Sequence, residues 1–289
     1  MDRLFLFILA VVPLTATAYQ LPGRIDLSAT VDSVYSVHLS LGGVNAGTFR
    51  SITVYRSFND LSLMGSLDLD AWPITKRVFS GNDCKGEIID SLTAHHTTYT
   101  YYVKAETTGG TVIPSNVASV VVPDIMLPAP GYPLSLFIDK CNYFLEVRFG
   151  HQPVKRFPVN VGSNPRNRKL HYDCRSTPEG IYTVSYTRPK TDFHKAIGVS
   201  YPNKFDRMRY SAALSRGSIP LTNGKPASIG GSIQIHGGGI GNNWTWGCIA
   251  MRNEDLDQLF RLPELRSGVP IIIVGTDFTR DSVLSADTM

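Results

Sequence analysis

Short runs in which apolar and polar residues alternate with a period of two, broken every few residues by glycine or proline, constrain this chain more than any other feature. Tyr99, Tyr101, Val103 and Ala105 lie on one face of such a run. Ser51-Ile52-Thr53-Val54-Tyr55 alternates in the same way, and the apolar-rich Val117–Val122 follows a Gly109-Gly110 turn. Period two with turn punctuation describes sheets packed on sheets. With 25 Gly and 18 Pro in 289 residues, long helices have little room. The pattern resumes at 134–139, 143–149, 154–161, 181–186, 232–236 and 269–274. The best helix runs from Glu254 to about Glu264, with Asn253 as its cap and Glu254, Asp255 and Asp257 favouring its first turn. The fold class expected is all-β (mainly β): a sandwich, then a second β-rich domain with one short helix.

The proline-dense segment 125–133 (Pro128, Pro130, Gly131, Pro133) divides the chain. Proline holds such a segment extended and keeps its neighbours apart. Expected boundaries are 19–124 for the first domain, 134–276 for the second, and a polar tail at 277–289. Residues 1–18 read as a secretory signal. Their apolar run of 15 residues contains Pro13 and is too short to span a bilayer, and Ala16-Thr17-Ala18 has the form of a cleavage site. The mature chain would begin at Tyr19, exported to the periplasm or cell wall. A composition of 43% hydrophobic and 18% charged residues excludes a disordered chain.

Charge divides with the domains. Residues 19–124 carry 7 Lys/Arg against 10 Asp/Glu, and residues 125–276 carry 19 against 10. An anionic partner for the second domain follows. Nucleic acid is not expected, because recognition-helix, zinc-finger and single-strand platform patterns are all missing. Export implies an oxidising compartment, where Cys84, Cys141 and Cys174 can pair. Cys141 with Cys174 is the candidate pair, since both lie in the second domain.

Chemistry concentrates between Ile235 and Met251, in Ile235-His236-Gly237-Gly238-Gly239 and Thr245-Trp246-Gly247-Cys248-Ile249. A thiol attacks carbonyls as the thiolate, and a nearby imidazole can take its proton. His236 closes a strand, and Cys248 follows beyond a glycine-rich loop able to fold back. Gly247 removes a side chain beside the thiol, which lets backbone N–H groups face a developing oxyanion. A packed small cysteine and a hydrogen-bonded structural histidine would leave the same spacing, so spacing alone keeps both readings open.

This stretch resembles the active-site motif of the L,D-transpeptidase (YkuD) family, His-Gly followed by Ser/Thr-x-Gly-Cys and a hydrophobic residue. Val161-Gly162, Thr177-Pro178-Glu179-Gly180-Ile181-Tyr182 and Phe193-His194-Lys195 with Ser200-Tyr201-Pro202-Asn203 also resemble that family. The resemblance implies a mostly β catalytic domain that acts on peptidoglycan stem peptides, with a tetrapeptide donor and an amine acceptor. By position it makes Cys248 the nucleophile and His236 its general base, with backbone N–H groups of Trp246, Gly247 and Cys248 as oxyanion donors. The Gly237 carbonyl would orient the imidazole and Thr245 would shape the pocket. Two departures stand out: Trp246 replaces a frequent His, and Ala250 replaces a frequent Arg or Asn. A substrate contact is then missing or supplied by Arg252. His194, Arg188, Lys190 and Lys195 are further candidate contacts. Water in place of an amine would make the enzyme a carboxypeptidase, endopeptidase or amidase on the same substrates. Thioester chemistry needs no cofactor, and no metal site is expected.

Leu92, the run from Thr97 to Ala105, and Pro114-Ser115-Asn116 resemble the end of a fibronectin type III domain, with Tyr99 at its tyrosine corner. That domain would be a spacer or would bind cell-wall or envelope components. A non-catalytic wall-binding protein is the reading from another class. His95-His96 reads as a solvated turn, and Asn243-Trp244-Thr245 as a chance match to a glycosylation acceptor.

Overall fold

The computed structural model describes residues 24–44, 49–61, 74–80, 87–127 and 133–279. The expected leader, Cys84, the core of the proline segment and the tail beyond residue 279 lie outside them.

The first region builds β1 (Asp26–Val31), β2 (Val37–Gly42), β3 (Phe49–Ser57), β4 (Thr75–Ser80), β5 (Ile88–Asp90), β6 (Thr97–Thr107), β7 (Val112–Pro114) and β8 (Ala118–Val122). These form a three-stranded sheet, β1-β2-β5, and a five-stranded one, β4-β3-β6-β7 with β8 also paired to β6. Alternate residues of both sheets, among them Leu27, Leu39, Ile52, Val54, Tyr101 and Val103, share one core. Tyr99 is buried, and its hydroxyl accepts a 2.9 Å bond from the Ala94 N–H.

The second region adds β9 (Leu134–Asp139), β10 (Phe144–Phe149), β11 (Gln152–Pro158), β12 (Gly180–Thr191), β13 (His194–Val199), α1 (Lys204–Ser215), β14 (Leu221–Thr222), β15 (Lys225–Pro226), β16 (Gln234–His236), β17 (Ile249–Ala250), α2 (Asn253–Phe260) and β18 (Pro270–Val274). Eight strands form one sheet in the order β11-β10-β9-β18-β12-β13-β16-β17. The β9–β18 and β16–β17 pairs are parallel and the others antiparallel. The mainly β class expected from the sequence is the one found, and every strand read from alternation has a counterpart.

Four expectations need correction. The proline segment does not hold its neighbours apart. Phe137, Phe144 and Val274 of the second region pack into the first region's core. Strands β9 and β10 are largely buried on both faces, and Phe137 and Phe144 on the second face take their cover from outside the domain. Arg56 crosses the junction, its side chain 3% exposed. It donates to Asp90 Oδ2 (2.7 Å), the Leu92 carbonyl (2.7 Å) and the Asn142 carbonyl (2.9 Å). His95 is likewise no solvated turn: its Nδ1 accepts from the Arg156 N–H at 3.1 Å across the same junction.

Cys141 and Cys174 are both free thiols, not a disulfide. Finally, α1 goes unread in the sequence. Its Phe205, Met208 and Leu214 face outward and only Asp206 and Ala213 are buried, so no apolar stripe marks it. The legible signal is the capping box, in which Asn203 Oδ1 accepts from the Asp206 N–H and Asp206 Oδ2 from the Asn203 N–H, both at 3.0 Å.

Candidate active site

Strands β16 and β17 run parallel at the sheet edge, with Ile235 opposite Ile249 and His236 opposite Ala250. Ile235 and Ile249 point into the core. The period of two therefore puts Gln234, His236 and Ala250 on the other face. Cys248, one residue ahead of β17, comes level with Gln234, two positions from His236 on that same face. Its sulfur lies 3.7 Å from the Ser232 carbonyl. The sheet register thus brings the expected nucleophile and base together.

The imidazole has one readable tautomer. His236 Nδ1 lies 2.7 Å from the Gly237 carbonyl. A carbonyl only accepts, so Nδ1 carries the proton and Nε2 of the neutral ring keeps its lone pair. Burial pushes the imidazole below its ordinary 6.5, against the opposing Gly237 bond. Burial pushes the Cys248 thiol above its ordinary 9.0, against the Gln234 N–H and the Lys169 charge. Both shifts favour the uncharged forms, thiol and neutral imidazole, over a thiolate–imidazolium pair.

The loop before Cys248 is held tightly from beneath. Ser163 N–H donates to the Thr245 carbonyl at 2.9 Å, and Gly162 pairs with Thr245. Gly247 has φ +126, and a Cβ there would stand 2.6 Å from the Ser176 carbonyl. Both strain and space therefore require glycine. Arg175 lies over the Trp246 ring, 5.0 Å from its centroid, and Trp246 is 58% exposed.

Several expected contacts take other roles. Thr245 is buried, and its hydroxyl donates to the Cys248 carbonyl (2.7 Å) and accepts from the Gly247 N–H (3.3 Å). The Gly247 N–H, one of the expected oxyanion donors, thus faces the Thr245 hydroxyl. Arg252 turns toward the first region, donating to the His96 carbonyl at 2.7 Å and lying 3.7 Å from Asp255. His194 and Lys195 both pair with Asp257, at 2.6 and 2.5 Å. Arg188 lies over the Tyr186 ring. Asn253 does not cap α2, whose N-cap is Arg252; its Oδ1 accepts from the Gly238 N–H at 2.9 Å and ties the glycine-rich loop to the helix. The Asn243 amide is buried and bonded to Asn160 and Val161, out of reach of a glycan.

Sequence reasoning missed two aromatic neighbours of His236. The rings of Phe193 and Trp244 lie 4.9 and 5.5 Å from the imidazole. Only the β12–β13 hairpin brings residue 193 beside residue 236, so spacing carries no trace of it. Among the described residues no group of three or more His, Cys, Asp or Glu side chains is placed to hold a metal.

Comparison with known proteins adds the family. Residues 135–273 match YkuD, the L,D-transpeptidase catalytic domain. No curated protein matches the chain. Among solved structures, an L,D-transpeptidase from Xylanimonas cellulosilytica DSM 15894 is 13% identical, with 51% of this chain and 63% of that one covered and a TM-score of 0.31. An L,D-transpeptidase from Mycobacterium smegmatis is 14% identical, covering 87% of this chain and 100% of that one at a TM-score of 0.31. Pectate lyase Pel3 from Pectobacterium carotovorum is 20% identical, covering 40% and 31% at 0.25. The chain thus spans less than two thirds of the Xylanimonas chain and under a third of the lyase. Residues 135–273, with His236 at the end of β16 and Cys248 one residue ahead of β17 inside them, are a YkuD-family L,D-transpeptidase catalytic domain.

Proposed function

We propose that this chain is an exported cysteine L,D-transpeptidase of peptidoglycan, with Cys248 as nucleophile and His236 as general base. One observation carries the reading. The Gly237 carbonyl fixes the proton on Nδ1, leaving Nε2 as a base on the face that also bears Cys248. A neutral imidazole beside a neutral thiol is ready to take a proton as sulfur attacks.

In the proposed reaction Cys248 sulfur attacks the carbonyl on the L-centre of meso-diaminopimelate in a tetrapeptide stem, and its proton passes to His236. The carbonyl becomes an oxyanion facing the N–H groups of Trp246 and Cys248. The C–N bond breaks, D-Ala leaves with the proton from His236, and a thioester remains. A side-chain amine of a second stem then attacks the thioester and forms a 3→3 crosslink. Its proton returns through His236 to the sulfur. No step calls for a cofactor. The excess of Lys and Arg in this domain suits a carboxylate-rich polymer.

A second reading rests on the acceptor side. Ala250 is fully buried and Arg252 is committed to His96, so neither offers the contact that the family often has there. Water would then compete with the amine, and the enzyme would trim or release stems. Mass spectrometry of sacculi after incubation decides between them: crosslinked dimers support transfer, shortened or released stems support hydrolysis. Cys248→Ala should abolish either activity with the circular dichroism spectrum unchanged, and turnover retained in that variant would refute the assignment. The first region we read as fibronectin type III-like, on its two sheets and the Tyr99 hydroxyl bond to Ala94, with an envelope component as its ligand.

A further inference from the structure

His236 points away from the sheet core, on the face where a cleft would have to open, yet it is only 4% exposed. Its cover is made of two rings that themselves face solvent. Phe193, at the turn between β12 and β13, is 46% exposed, and Trp244 is 39% exposed. Phe193 tilts over the imidazole at 4.9 Å and 34°, and Trp244 meets it edge-on at 5.5 Å and 66°. Phe193 and Trp244 touch each other at 5.6 Å. Each of the three rings thus contacts the other two. Two large aromatics kept half in water are costly for packing alone, since neither contributes to the sheet core.

Both covering rings are anchored. The Phe193 carbonyl accepts from the Gly237 N–H at 3.0 Å, the residue that also orients the imidazole. The next two residues, His194 and Lys195, are pinned to Asp257 of α2. The Trp244 indole N–H donates to the Gly239 carbonyl at 3.4 Å, and Asn243 before it is held by Asn160. Gly238 lets the rings meet: at φ +100, a Cβ there would stand 3.3 Å from Trp244 and 3.4 Å from Phe193.

We propose that Phe193 and Trp244 are positioning residues for the base, clamping the His236 ring in one orientation and keeping water off it. The proposal rests on the reading of His236 as the base. Water exclusion disfavours the imidazolium, which agrees with burial as the cause of the lowered imidazole and with the Gly237 bond opposing it. The charged or titratable groups on the packed elements are Asp192, His194 and Lys195 of the hairpin, Glu254, Asp255 and Asp257 of α2, and Cys248. None of them is a cause of the shift at His236, and Asp257 already engages His194 and Lys195. The cover itself sets the base.

The test is a titration of the His236 ring by NMR in the full chain. In the unaltered protein it should titrate below 6.5, the ordinary value. Phe193→Ala and Trp244→Ala should each move it up toward that value, while Phe193→Leu and Trp244→Phe, which keep an apolar cover, should hold it down. The acid limb of kcat/KM should move up in parallel. Each pH unit of movement lowers the neutral fraction about tenfold on the acid side. An unmoved titration in Phe193→Ala and Trp244→Ala overturns the proposal. So does an equal movement in the leucine and phenylalanine variants, which would mean any disturbance of the loop suffices. Should Trp244→Ala fail to fold, the comparison of Phe193→Ala with Phe193→Leu decides alone. The ring titration reads without any substrate, so a moved titration in a protein inactive on peptidoglycan would sink the enzymatic reading and leave the cover intact.

Discussion

At the residue scale, one element type supports opposite environments for similar groups. Burial raises the Cys174 thiol, but N–H groups of Leu170, Ser176 and His171 and the Lys169 ammonium outweigh it, and the net effect lowers it. Lys169 Nζ lies 4.0 Å from that sulfur. Cys248 is raised and Cys141 is pushed up to about 11, both by burial. Iodoacetamide at neutral pH should therefore label Cys174 first, then Cys248, then Cys141, as read by peptide mass spectrometry. Cys248 labelling ahead of Cys174 would mean a preformed ion pair with His236. Asp255 makes a second case. It is fully buried, neither carboxylate oxygen has a hydrogen-bond partner, and burial raises it to about 6 against the opposing Arg252 charge. A raised carboxyl favours the protonated fold, so its contribution is fully present below 3.8 and lost as pH rises through about 6. That interval corresponds to about 3 kcal/mol. Asp255→Asn should raise Tm at pH 7–8 and leave it unchanged near pH 4, by thermal melts. The sequence places Asp255 in a helix's first turn, but its lack of a hydrogen bond is a tertiary outcome and was not legible there.

At the element scale, the site depends on two chain segments passing at close range. Gly162 lies between the Arg175 carbonyl and Gly247, and a Cβ on Gly162 would run into that carbonyl and stand 3.1 Å from Gly247 Cα. Those obstacles are backbone and cannot rotate away. Gly162→Ala should lower stability by about 2 kcal/mol or more and reduce activity further than stability alone predicts, checked by denaturant unfolding beside single-turnover kinetics. The strands themselves were legible because alternation is a local pattern. Residues 134–139 read as β9 to the residue, and 99–105 fall inside β6. α1 was not legible from periodicity, since a helix that buries only Asp206 and Ala213 has no stripe to show, and only its capping box marked it. The cap at α2 moved by one residue because Asn253 is needed by Gly238, and a tertiary hydrogen bond outweighed a local capping preference.

At the scale of the whole molecule, polar and apolar contacts join the two regions across their junction. Arg56 and Asp90 are buried there as a pair that also binds the Asn142 carbonyl, and Asn59 Nδ2 donates to the Gly241 carbonyl in the glycine-rich loop at 2.8 Å. Removing one partner of a buried pair strands the other charge, a loss of about 3–5 kcal/mol. Calorimetry of the full chain should show a single transition, and Arg56→Met should lower the melting of both regions together. Two separated transitions in the unaltered chain would contradict that coupling.

The sequence by itself determined the β class and the strand positions and pointed to His236 and Cys248 as the candidate pair, because alternation, turn residues and the Thr245–Ile249 motif are local and chemical. Only the tertiary structure decided that His236 and Cys248 share a face, that Arg252 binds the His96 carbonyl and Thr245 the Cys248 carbonyl, and that Phe193 and Trp244 cover the His236 ring. Those outcomes depend on which strands become neighbours and which polar groups must find partners once water is gone. Contacts between residues 193 and 236, or 56 and 142, are products of chain folding that no window of sequence contains.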